Sequence, residues 1–136
     1  MGYLGRNDPA AGFEEDGLRY KYQVGHAEDI SIGHANLAIT LAKTKSSKAI
    51  AHQLVSATIF LLTCSGMLPS SLRNLSNHLA QFGPEALPAS FDRLCETVEE
   101  VEGVRFRELF VRLAGPDTDG DEMMQMILKM ARGDEP

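Results

Sequence analysis

Residues 30–64 limit the fold more than any other stretch, because two helical apolar stripes follow one another across a short polar gap. In ISIGHANLAITLAKTK, the residues Ile30, His34, Leu37, Ala38 and Leu41 recur at the spacing of one helix face. In SSKAIAHQLVSATIFLLTC, the stripe Ile50, Leu54, Ala57, Leu61 is widened by Val55, Ile59, Phe60 and Leu62. A helix apolar on so many sides needs neighbours on all of them, so this second helix is expected to be the most buried. A connection of about four residues forces the two helices into an antiparallel hairpin, predicted over residues 29–64. Asp29 is placed to cap the first helix and Ser46 or Ser47 the second. Lys43 and Lys45 suit the negative end of the first.

The flanks read as further helices. Residues 1–12, mixing Gly, Pro, Asn and Asp, read as a mobile arm. Leu18, Tyr20, Tyr22 and Val24 then alternate with other residues, which is a strand signal, and the stretch 18–24 stays open between strand and helix. No other segment offers a strand partner, which favours a short helix ending near Gly25. Gly66 is expected to stop the second hairpin helix, and Pro69 with a serine cap to restart the chain. Leu72, Leu75, Leu79 and Phe82 form the next stripe, closed by Gly83-Pro84. A helix over about 90–101 carries Phe91, Leu94, Cys95, Val98 and Val101. Another carries Val104, Phe106, Leu109, Phe110 and Leu113, and a last one runs over about 121–132. The fold class is therefore all-α: a compact bundle of six to seven short helices around a central antiparallel hairpin. It forms one domain over residues 13–133, with C-terminal helices within 70–132.

Charge and cysteine usage narrow the function. With 13 Lys and Arg against 19 Asp and Glu, the net charge is −6, and no basic patch stands out, so nucleic acid is not the expected partner. Cys64 and Cys95 lie far apart within apolar patterns, as small hydrophobes in a reducing cytoplasm would. The N-terminus lacks the apolar core of a signal peptide. The longest apolar run falls short of the roughly 18 residues that suggest a membrane span. The expectation is a cytoplasmic protein that meets no membrane.

Around the hairpin, the spacing of His34, Leu37, Ala38 and Leu41, then Ile50, Leu54 and Ala57, resembles one helix pair of the tetratricopeptide repeat. The part after it, LPASFDRLCETVEEVEGVRFRELFVRL and then DGDEMMQMIL, is similar to the non-repeating tail that closes some bacterial tetratricopeptide proteins. That resemblance implies a protein-binding or structural role without catalysis. There is no second copy of the repeat, so a stacked solenoid is not expected of this chain.

Candidate chemistry is sparse. Arg73-Asn74-Leu75-Ser76-Asn77-His78 is similar to the R-x4-H motif of HEPN-type ribonucleases, which are small and all-helical. The resemblance implies His78 as general acid or base on an RNA 2′-hydroxyl, Arg73 on the scissile phosphate and Asn74 in support, within a dimer. On the helical wheel Arg73 also points away from the apolar stripe, as an ordinary solvated arginine would. His34 reads as a hydrogen-bonded core histidine. The four histidines show no metal-ligand spacing. The run Asp117, Asp119, Asp121, Glu122 lacks the glycine and glutamate positions of a calcium loop and reads as a helix cap. No glycine-rich phosphate loop is present, so neither metal nor cofactor is expected. In the last helix Met123, Ile127 and Met130 share a face with Met126 beside it, suiting either core packing or an adaptable docking surface. The leading expectation is a non-enzymatic interaction or structural module binding another protein or itself, with the dimeric ribonuclease as the alternative.

Overall fold

The computed structural model describes residues 9–133. In chain order these form α1 (Pro9–Val24), α2 (Ala27–Lys43), α3 (Lys48–Leu62), α4 (Leu68–Phe82), a 3-10 turn (Pro84–Ala86), α5 (Phe91–Val98), α6 (Phe106–Ala114) and α7 (Gly120–Arg132). No strand occurs among the described residues, so the protein is all-helical.

Helix α3 is the axis of the structure, and every residue from Ala49 to Phe60 is buried. Helices α2, α4, α5, α6 and α7 all pack against it, while α1 lies outside on α2. Large side chains such as Ile50, Leu54, Ile59 and Phe60 are fully withdrawn from water. Each such burial stabilises the fold by roughly 1.5–3 kcal/mol. The hairpin is antiparallel: Ser31 on α2 bonds to Ser56 on α3, while His34, further along α2, bonds to the earlier His52.

Local chemistry at the helix ends departs from the sequence reading. Helix α2 starts at Ala27 with His26 at the N-cap, so Asp29 sits inside the first turn, where its charge still complements the helix dipole. Ser47 occupies the N-cap of α3 without bonding through its side chain; Ser46 Oγ accepts from the Lys48 N–H instead. Helix α3 ends at Leu62, and the reversal is made by Cys64 at φ 56°, ahead of Gly66. Ser65 N–H then bonds to the Phe60 carbonyl, and Ser46 N–H to the Leu41 carbonyl after Lys45 at φ 65°. Both hairpin helices thus finish on the six-to-one bond that normally calls for glycine. Val101 falls outside α5, which stops at Val98.

The N-terminal segment differs most. Residues 9–12, read from sequence as part of a mobile arm, belong to α1; residues 1–8 of that arm lie outside the described residues. The stretch 18–24 is helical.

Helices α5, α6 and α7 close the far side of α3. Phe91 stands 4.6 Å from Phe110 and 5.8 Å from Phe106, ring centre to ring centre. Gly120 lies directly beneath the Phe91 ring, which a Cβ at that position would meet at 2.4 Å. The acidic run is spent on caps: Asp119 accepts from the Asp121 and Glu122 N–H groups, and Asp121 accepts from the Phe91 N–H. No helix among the described residues is long and apolar enough to cross a membrane.

Candidate functional site

Two faces of α1 carry the features that are not plain core. Its inner face is fixed to the hairpin. Leu18 is buried against Gly33 of α2, where an added Cβ would stand 2.9 Å from Leu18 Cδ1. Arg19 Nε donates to the Glu102 carbonyl, and Arg112 donates to the Gly25 carbonyl just past the helix end.

At the same interface three side chains form a hydrogen-bonded chain. The Tyr22 hydroxyl lies 2.6 Å from His34 Nε2, and His34 Nδ1 lies 2.9 Å from His52 Nδ1. A separation of 2.6 Å suits an O–H donor and is shorter than ordinary N–H···O bonds, so Tyr22 donates. His34, accepting at Nε2 and neutral, carries its proton on Nδ1 and donates to His52 Nδ1. His52 therefore keeps its own proton on Nε2. Burial raises the Tyr22 pKa above its ordinary value, with Glu99 adding to the effect. Burial drives His34 well below the usual histidine range, helped by His52, and lowers His52 to about 3, helped by Lys48. The chain is uncharged at neutral pH and spans two surface clefts. Tyr22 borders one of about 430 Å³ with Arg105, Glu108 and Arg112; His52 borders another of about 520 Å³ with Glu15, Arg19, Lys48 and Glu100. It can relay hydrogen-bond polarity between them, and it ties α1 to α2 and α2 to α3.

A second polar thread continues through the hairpin to α4. Ser31 Oγ donates to the Ser56 carbonyl, Ser71 Oγ donates to Ser56 Oγ, and Gln53 Nε2 donates to Ser71 Oγ. His78 Nε2 lies 3.2 Å from Gln53 Oε1 and donates to it. This locates the proposed ribonuclease residues. His78 is buried, its pKa lowered by desolvation, and its Nε2–H committed to Gln53. Arg73 is exposed and Asn74 half-buried, so the chain does not bring Arg73 and His78 to one surface. Acid–base work by His78 would first require release from Gln53.

The methionine helix divides differently from its sequence pattern. Ile127 is fully buried and belongs to the core, with Met124 and Leu128. Met123 is half-buried. Met126 and Met130 remain exposed, Met126 beside a shallow apolar cleft with Gln125 and Lys129.

The most exposed large hydrophobic residues lie elsewhere, on the outer face of α1: Phe13 at 77%, Tyr20 at 65% and Val24 at 51%. Together with Gly17 they alternate by four, three and four residues, which places all four within one narrow strip opposite Leu18 and Tyr22. An added Cβ at Gly17 would meet no atom of the described residues within 4 Å. The sequence reading missed this strip because the alternation over 18–24 leaves strand and helix open, and only a continuous helix from residue 13 joins Phe13 and Gly17 to Tyr20 and Val24.

Comparison with protein-family models, with curated proteins and with solved structures finds no match to this chain.

Proposed function

We propose that this chain is a non-enzymatic α-helical interaction module that docks a partner helix along the outer face of α1. One observation carries the reading: the three most exposed large hydrophobic side chains among the described residues fall on one strip of one helix. Scattered apolar residues are ordinary on a protein surface, whereas a contiguous strip marks a binding site. The inner face of the same helix is held by Leu18, Tyr22 and Arg19, so the strip stands on a fixed support. Pre-organisation of that kind lowers the entropic cost of docking. The tetratricopeptide-like character of the hairpin, proposed from its spacing, is consistent with a scaffolding role.

The test is affinity purification from source cells with the wild-type chain and with Tyr20→Glu. Tyr20 is exposed, so the variant should melt within about 2–4 °C of the wild type, as surface substitutions do. Partners held by the wild type should be lost on the variant. An unchanged set of co-purifying proteins would refute the α1 face as the docking surface.

A further inference from the structure

The strip on α1 matches itself when reversed. In the spacing of Phe13, Gly17, Tyr20 and Val24, the first gap equals the last, so the pattern reads alike from either end. A second α1 laid antiparallel sets Phe13 opposite Val24 of the other copy and Gly17 opposite Tyr20 of the other copy. Each large side chain then faces a smaller one, the arrangement by which knobs enter holes on a facing helix. Gly17 explains itself in this light. A glycine inside a helix weakens it, and here no neighbour among the described residues comes close enough to require one. A tyrosine ring arriving from another copy would require it.

The charges agree. Glu14 and Lys21 lie on the same side of the strip, seven residues apart, and neither is in an ion pair among the described residues. In an antiparallel pair, flanking positions on one side face the equivalent side of the partner. Glu14 of each copy therefore faces Lys21 of the other, twice per dimer. In a parallel pair each flank instead faces the opposite flank of the partner, so Glu14 and Lys21 would meet the side that carries Asp16 and Gln23 and not each other.

We propose that a second copy of this chain docks antiparallel on the outer face of α1, with Phe13 against Val24 and Gly17 against Tyr20 about a two-fold axis. The proposal rests on the reading of α1 as a docking face and names its occupant. A two-fold pair uses the same patch on both subunits, which is what a reversible pattern supplies. Each aromatic side chain can bury roughly 150–250 Å², so two per copy with their flanks reach only the lower end of stable interfaces, about 1,200 Å². An interface of that size fits a dimer in exchange with monomer.

Sedimentation equilibrium of the full chain tests this. Between about 5 and about 500 µM, a span covering weak dimers, the weight-average mass should climb from 14.9 kDa towards twice that value. Gly17→Leu fills the hole without touching its own fold; it should keep or raise the melting temperature while weakening association at least tenfold. Glu14→Lys alone and Lys21→Glu alone should each weaken self-association, and mixing the two variants should restore it, because only the mixed pair has every flank matched. A wild-type chain that stays at 14.9 kDa throughout would overturn the proposal. So would Gly17→Leu associating like the wild type, or failure of the mixture to recover. If the wild type is monomeric while Tyr20→Glu still loses its co-purified partner, the docking face survives and the second copy is the wrong occupant.

Discussion

Acid should loosen this protein through the two stacked histidines, and the size of the effect follows from their burial. His52 is held neutral down to about 3 in the folded state, against an unfolded value near 6.5. Its folded pKa is depressed, so its contribution is complete above about pH 6.5 and is lost as pH falls towards the folded value. Within that window the unfolded chain binds one more proton, and stability declines by about 1.4 kcal/mol per pH unit. At pH 4.5, two units below the unfolded pKa, His52 alone accounts for about 2.7 kcal/mol. His34 is depressed by the same burial and acts in the same direction. Together they remove a large share of the roughly 5–15 kcal/mol that holds a domain of this kind. Urea unfolding followed by circular dichroism at pH 7.5, 6.5, 5.5 and 4.5 measures this directly. With an m-value of roughly 1–3 kcal/mol/M, the His52 share alone lowers the midpoint at pH 4.5 by about 1–3 M. His52→Asn is the informative variant, since its amide oxygen can stand where Nδ1 stood and accept from His34. It should be less stable at neutral pH, yet its stability should fall with acid by about 1.4 kcal/mol per pH unit less than the wild type's. The carboxylates are common to both proteins, so the difference in slope isolates His52. Identical slopes would refute the assignment of His52 as a buried neutral group, and a wild type whose stability is flat from pH 7.5 to 4.5 would refute it for both histidines.

Two further substitutions probe the packing. Gly120→Ala drives a Cβ into the Phe91 ring at 2.4 Å, and the ring has no free end to swing away; a loss of about 1–3 kcal/mol is expected from chemical denaturation, despite alanine's better helix propensity. His78→Ala leaves Gln53 Oε1 without its donor inside the α3–α4 interface. It should cost about 1–3 kcal/mol, and a variant as stable as the wild type would mean that His78 is not part of the polar thread.

The hairpin could be read from sequence because its information is local. Apolar residues at helical spacing, a polar gap of a few residues and an unusually apolar second helix suffice to place α3 at the centre, and it is buried from Ala49 to Phe60. The helix ends were less legible because the left-handed positions carry Lys45 and Cys64 where glycine was expected, so the reversal was assigned to Gly66. The polar chain was legible only in part. His34 on an apolar stripe signals a buried histidine that must find a partner, but that the partners are Tyr22 and His52 depends on how three helices meet. Arg73 and His78 illustrate the reverse limit: spacing brings two residue types together in the chain, and the fold sends one to solvent and the other into the core.

The alternation in Leu18, Tyr20, Tyr22, Val24 has a structural explanation with a consequence for function. On a helix, four apolar residues two apart are two pairs four apart, lying on nearly opposite sides. Leu18 and Tyr22 turn inward to Gly33 and His34, while Tyr20 and Val24 turn out to solvent. A strand with one buried face would hide all four or expose all four. A helix with a single buried face would need only the first pair, so the second pair is surplus to the fold of one chain. Phe13 extends that surplus pair back along the helix, and Gly17 keeps the centre of the strip low. Apolar side chains in excess of what the core uses, in register on one helix, are the observation on which the proposed docking face rests.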